Sequence, residues 1–128
     1  MNTDIKENQS QDKPTEVIIG AAILVSNTIG CGFLEKVYEN ALAIELTKLQ
    51  FKVEQQKPLV VYYRNIVVGE YTADIIVNQA VILELKASKM IDPIHLAQLL
   101  NYLKASKMRT GLLLNFGTPR LGVKRLVL

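Results

Sequence analysis

Three charged residues stand in one of the most apolar stretches of the chain, "DIIVNQAVILELKAS", Asp74 to Ser88. Asp74 opens the stretch, and Glu84 and Lys86 lie two apart near its end. Burying such groups is costly unless they are paired or hold a metal. On a strand, residues two apart share a face. Glu84 and Lys86 therefore point one way with Ile82, while Val81, Leu83 and Leu85 point the other way into a core. A turn at Asn78–Gln79 brings Asp74 back antiparallel, facing Leu83 and diagonal to Glu84. Two carboxylates and a lysine at one place suit a hard divalent cation, which takes one or two carboxylates together with waters and phosphate oxygens. The chemistry would be hydrolysis of a phosphodiester, with a polarised phosphate and an activated water. Lys86 would orient or deprotonate that water, or offset charge on the phosphate. The competing reading is a Glu–Lys ion pair on a solvated strand face.

Two further sets of residues bear on that choice. Glu35 lies three residues before Tyr38 and seven before Leu42, so it borders the apolar face of a helix. It also suits a plain helix start, where the dipole favours an acid. His95, Gln98 and Tyr102 share one helical stripe, either beside the charged strand or resting polar atoms on the sheet edge. Charge is segregated as well. Residues 1–85 carry 7 basic and 11 acidic side chains, and residues 86–128 carry 8 basic and 1 acidic. An acidic cluster before a basic half suits a protein that holds a cation and approaches a polyanion. The alternative is a solvated surface whose charges happen to segregate. By charge, Lys104, Lys107, Arg109, Arg120, Lys124 and Arg125 are candidate phosphate contacts.

The elements that position these residues follow from periodicity. Thr15 is a candidate cap for a helix from Glu16, with Val17, Ala21, Leu24 and Thr28 at helical spacing. Two glycines in "IGCGF", Ile29 to Phe33, break it. A second helix is predicted over Leu34–Gln50, with Leu34, Val37, Tyr38, Ala41, Leu42, Leu46 and Leu49 as its apolar face. The period then changes to two. Strands are predicted around Phe51–Gln55, over Leu59–Arg64, over Ile66–Val77 and over Ala80–Ala87, joined as an antiparallel meander. Asp92 caps a third helix with Pro93 at its first position, running to Ser106. Thr110–Gly117 reads as a buried strand and Gly122–Leu128 as an edge strand. The fold class is α+β (mixed α/β), with helices covering a twisted sheet.

With 128 residues, 49% of them hydrophobic, the chain suits one domain with a full core. We expect that domain over residues 15–128, preceded by a polar, disordered tail over 1–14 that lacks the apolar run of a secretory signal. The stretch "VIIGAAILV", Val17 to Val25, is too short to span a bilayer at roughly 20 residues. The single cysteine, Cys31, excludes an internal disulfide framework. A cytoplasmic protein without a membrane partner is expected.

Asp74 followed by Glu84-Leu85-Lys86 resembles the PD-(D/E)XK signature of restriction-endonuclease-like nucleases. "GFLEKVY" (Gly32 to Tyr38) matches the motif of the GxxExxY protein family, and "HLAQLLNYL" (His95 to Leu103) and "GLLLNFG" (Gly111 to Gly117) look like its later blocks. The resemblance runs from about Thr15 to Leu128. It implies an αβββαβ core with a central mixed sheet flanked by helices. It implies Mg²⁺ or Mn²⁺ held by Asp74 and Glu84 and joined by the Leu85 carbonyl, with Lys86 as the catalytic lysine and Glu35 as either an added ligand or a base beside the ligands. Gln98 and Tyr102 resemble the Q-x-x-x-Y motif of RecB-like nucleases; with His95 and Tyr38 they would support the site or touch substrate. Asp74 follows Ala73, so the proline of the signature is absent. The function implied is metal-dependent cleavage of nucleic acid, most simply DNA, with a homodimer or protein partner helping to find a target. An idle nucleic-acid-binding module on the same fold is the alternative, and an interaction protein with a structural ion-pair network is a third reading.

Overall fold

The structure, a computed structural model, describes residues 2–128. Its elements are α1 (Asn2–Ile29), α2 (Glu35–Lys48), β1 (Val53–Tyr63), β2 (Ile66–Val77), β3 (Val81–Lys86), α3 (Pro93–Ser106), β4 (Thr110–Asn115) and β5 (Gly122–Val127). The strands form one sheet in sequence order. β3 and β4 are parallel, and every other pair is antiparallel. Parallel neighbours need a crossover, which α3 supplies. The α+β class is as expected from periodicity, and so is the order of elements, except that the strands expected around Phe51–Gln55 and over Leu59–Arg64 are one strand, β1.

Both sheet faces are covered. α1 and α2 place Ile18, Ala22, Tyr38, Leu42 and Leu46 against Ile75, Leu83, Leu85, Leu112 and Leu114. On the other face, Leu99 and Leu103 of α3 meet Ile76, Ile82 and Leu113. The Glu84 side of β3 is thus not a polar surface around an island of charge. It is a second core with the charges at its margin. α3 comes close enough that a Cβ on Gly111 would lie 2.8 Å from Leu99 Cδ1.

Several expectations shift. α1 has no boundary at Pro14; it runs from Asn2 with Pro14 inside. Thr15 is buried rather than standing at a helix end. The buried stripe of α1 is Ile18, Ala21, Ala22 and Val25, while Val17 and Leu24 are exposed. Both sets have helical spacing, and periodicity alone does not choose between adjacent stripes. On α2, Leu34 and Leu49 flank the helix and are exposed, as is Val37 within it; Tyr38, Leu42 and Leu46 form the buried face.

α3 follows its cues closely. The Asp92 side chain accepts a hydrogen bond from the Ile94 N–H at 3.0 Å, and Pro93 opens the helix, where its missing N–H costs nothing. Lys107 ends it in a left-handed conformation (φ 61°).

The connection after β3 is locked from β4. Asn115 Oδ1 accepts from the Ser88 and Gly117 N–H groups at 3.1 and 3.0 Å, and Asn115 Nδ2 donates to Ser88 O at 2.9 Å. The Phe116 N–H donates to Lys86 O at 2.8 Å. A Cβ on Gly117 would collide with the Ser88 backbone. Backbone cannot yield as a flexible side chain can. Gly117→Ala is therefore expected to lower stability by roughly 2–3 kcal/mol, read as the urea midpoint at constant slope.

Candidate active site

The site begins with a turn. Asn78 and Gln79 both take left-handed φ values (53° and 54°), and the Ala80 N–H closes on Val77 O at 3.0 Å. The first ladder pair is Val77–Val81, followed by Ile76–Ile82 and Ile75–Leu83. This is one residue later than a two-residue loop at Asn78–Gln79 would give. Asp74 therefore comes level with Glu84, not with Leu83. A one-residue difference in register decides which side chains meet.

The ladder stops at Ile75–Leu83, and the two carboxylates occupy the place where it would continue. Glu84 Oε2 accepts from the Asp74 N–H at 2.8 Å, and Asp74 Oδ2 accepts from the Leu85 N–H at 2.8 Å. Each acid thus satisfies a backbone donor at the opening between the strands. Across β2, Gln56 of β1 has φ 51°, and neither it nor Asp74 is a ladder pair. Ala73 packs under α3 while Ile75, two residues on, packs under α1 and α2. The strand alternation slips at Asp74, which aims its carboxylate along the sheet toward β3.

The electrostatics follow from burial. Glu84 is 8% exposed. Burial and then the Asp74 charge push its carboxyl up to about 8, against the pull of the Asp74 N–H and of Lys86. Burial also raises Asp74, helped by Glu39 and opposed by the Leu85 N–H, Lys86 and Gln56. Lys86 is half-buried at the end of β3. Its charge favours both ionised acids, yet it forms no ion pair with either among the described residues.

The other expected residues divide. Burial, and then the charges of Glu84 and Asp74, raise the phenol of Tyr102 on α3. Its ring lies 5.4 Å from that of Tyr71. Gln98 is exposed, one turn earlier. His95 Nδ1 is buried without a hydrogen-bond partner among the described residues. Glu35 is exposed in the first turn of α2 and reaches Glu84 as a weak unfavourable charge. Tyr38 is wholly buried. Its hydroxyl donates to Gly30 O at 2.6 Å and accepts from the Phe33 N–H at 3.2 Å, and its ring stacks 4.8 Å from Phe116. It fastens the loop before Glu35.

Glu39 is the residue that sequence reasoning missed. It is 4% exposed. Gln55 and Lys36 donate to its Oε2 at 2.8 and 3.0 Å, and Gln56 donates to its Oε1 at 2.7 Å. The same Gln56 amide reaches Asp74 Oδ1 at 3.5 Å. The signal was present: Glu39 lies three, four and seven residues before Leu42, Ala43 and Leu46, an acid inside an apolar stripe.

The basic residues do not form one patch. Lys124 pairs with Leu113, itself opposite Glu84, so it shares that row and face. Arg125 is opposite Leu112 and belongs to the α1–α2 face. Arg109 precedes β4 at the far end of the sheet, and Arg120 lies in the β4–β5 connection. Lys104 and Lys107 border a groove between α3 and the β1–β2 hairpin.

A family model described as the PD-(D/E)XK nuclease superfamily matches residues 12–126. The chain belongs to the PD-(D/E)XK nuclease superfamily. The superfamily's typical chemistry is phosphodiester hydrolysis, usually with divalent metals such as Mg²⁺. The five-stranded mixed sheet flanked by helices is consistent with its restriction-endonuclease-like fold. Among solved structures, the chain is similar to one titled "Crystal structure of SSO0001", at 20% identity and a TM-score of 0.58. That match covers 73% of this chain and 50% of the other, so the chain spans half the length of that protein. No curated protein matches the sequence. Among the described residues, no helix is long and apolar enough to cross a membrane.

Proposed function

We propose that the protein is a Mg²⁺- or Mn²⁺-dependent nuclease, acting on DNA, of the GxxExxY type within its superfamily. The observation that carries this reading is the Asp74–Glu84 pair, held at the opening of the ladder by each other's strands. Each acid uses one oxygen on a backbone N–H. Among the described residues, Glu84 Oε1 accepts no hydrogen bond and Asp74 Oδ1 only the long Gln56 contact, so both remain for a ligand. Two acids at one buried point repel and resist ionisation, which is the environment a cation relieves. The donor set fits Mg²⁺, which binds through one or two carboxylates and keeps waters for substrate oxygens. The chemistry a bound cation supplies is a polarised phosphodiester and a water of lowered pKa.

The chain's own residues supply the rest. Asp74 and Glu84 hold the cation. Lys86, two residues beyond Glu84, positions the attacking water or neutralises charge building on the phosphate. Tyr102 borders the acids from the α3 side and contacts substrate. Glu35 acts at a distance through its charge, and Glu39 orients Gln56 against Asp74. A second reading, nucleic-acid binding without cleavage, is favoured by one fact: no three His, Cys, Asp or Glu side chains cluster for a metal among the described residues.

Cleavage of single-stranded, linear duplex and supercoiled DNA, and of RNA, separates the two readings. Cutting is expected in Mg²⁺ or Mn²⁺, none in EDTA, and almost none for Asp74→Asn. Equal rates for wild type and Asp74→Asn would place the chemistry elsewhere. Metal-independent binding with no cutting of any substrate would establish the second reading.

A further inference from the structure

The β1–β2 hairpin is longer than the sheet needs. β2 runs from Ile66, yet only Ile75, Ile76 and Val77 pair with β3. Beyond Asp74, which meets β3 through its hydrogen bonds to Glu84 and Leu85, the hairpin is unpaired with β3 and stands as an arm. Between that arm and α3 lies a groove of about 580 Å³. Tyr62 and Tyr71 line it from the hairpin, and Asn101, Lys104 and Lys107 from the α3 side. Among the described residues, no carboxylate lines it. Both tyrosines are open to solvent, at 64% and 50% exposure. The groove runs toward the acids along β2, where Tyr71 stands three residues before Asp74 and touches Tyr102 of α3, whose phenol also feels the charges of Glu84 and Asp74.

Exposed aromatic faces beside lysines fit one class of partner well. Bases stack on aromatic rings, and the accompanying phosphates lie against cations. Stacked base pairs in a duplex present edges and backbone, not free base faces, so the rings favour unpaired nucleotides. We propose that this groove binds a single-stranded segment of nucleic acid and leads it to the Asp74–Glu84 pair. Bases stack on Tyr71 and Tyr62, and phosphates lie on Lys104 and Lys107. This rests on the nuclease reading for what happens at the acids, but not for the binding itself.

The test is fluorescence anisotropy in EDTA, where no cleavage intervenes. Probes are a labelled twelve-nucleotide oligo(dT), the matching oligo(U) and a twelve-base-pair duplex of mixed sequence. Wild type is expected to bind a single-stranded probe more tightly than the duplex. Tyr62→Ala, at the most exposed ring, should weaken single-strand binding roughly 5- to 100-fold and leave the salt dependence unchanged. Tyr71→Phe should bind as wild type, since stacking needs the ring and not the hydroxyl. Lys104→Ala and Lys107→Ala should each reduce the slope of log affinity against log salt by about 0.7. Tighter duplex binding, or Tyr62→Ala binding oligo(dT) and oligo(U) as wild type does, overturns the proposal. So does sedimentation showing a dimer that Tyr62→Ala dissociates, because the arm would then meet a second copy. Single-strand binding with no cleavage in any metal would retain this groove and remove the nuclease reading. Cleavage with a KM indifferent to Tyr62→Ala would do the reverse.

Discussion

Glu84→Gln is expected to stabilise the metal-free protein at pH 8 while lowering cleavage by about 10²- to 10³-fold. The two effects share one cause. Glu84 is buried beside Asp74, and its carboxyl is pushed up to about 8 from the ordinary 4.5. A raised folded-state pKa means that the folded protein holds the proton more tightly than the unfolded chain. The associated stability is full below about pH 4.5 and is lost as pH rises through about 8. A shift of this size corresponds to something on the order of 5 kcal/mol across that window. Gln keeps an oxygen to accept the Asp74 N–H but carries no charge, so the loss disappears and Asp74 ionises more easily. Urea denaturation in EDTA at pH 5, 7 and 9 reads this directly. Wild type should weaken steadily over the series, and Glu84→Gln should be nearly flat. Cleavage responds oppositely, because a ligand charge worth several kcal/mol of transition-state stabilisation is gone. Mg²⁺ should raise the wild-type midpoint most at high pH, where no proton competes, and raise the variant's little. Flat wild-type stability from pH 5 to 9 would mean that the acids are not coupled as described.

The same pair shows where sequence reasoning reaches its limit. Residue types and strand period suffice to bring Asp74, Glu84 and Lys86 to one neighbourhood. They do not fix the contact, because Ala80 lies in the turn and moves the register by one. Nor does a period of two foresee that Ala73 and Ile75 lie on opposite faces. That slip depends on Gln56 adopting a left-handed φ on a different strand, with no glycine to announce it. Locally determined features were the legible ones. The Asp92–Pro93 start of α3 and the bounds of β2 depend on neighbours in sequence, and both stand where they were expected. The stripe of α1 and the burial of Glu39 depend on what packs against a helix, which spacing leaves open between adjacent faces. The motif around Glu35 is the clearest case. Its tyrosine is a structural anchor for the Gly30–Phe33 turn, while the α2 acid linked to Asp74, through Gln56, is Glu39, one turn further along the helix.

Lys86→Ala should separate cation binding from chemistry. The Lys86 charge favours ionisation of both Asp74 and Glu84, and it also repels any cation they hold. Removing it makes the acids harder to ionise but lifts a like charge from the site. These effects oppose one another, so Mn²⁺ affinity by calorimetry at pH 8 should change by less than about tenfold, a difference of under about 1.4 kcal/mol. The rate should fall far more. Losing a residue that positions water or takes up a proton typically costs about 10²- to 10⁴-fold, and the loss should appear in kcat with KM nearly unchanged. Asp74→Asn makes the contrast, because there the calorimetric affinity itself should collapse. Lys86→Arg sharpens the assignment. Guanidinium keeps the charge but does not deprotonate, so activity near wild type means electrostatic stabilisation, and loss matching that of Lys86→Ala means proton transfer or a geometry only an amine satisfies. If instead Lys86→Ala weakens Mn²⁺ binding as severely as Asp74→Asn while kcat at saturating metal is retained, then Lys86 only shapes the cation site, and the group that activates water must be sought elsewhere, beginning with Tyr102.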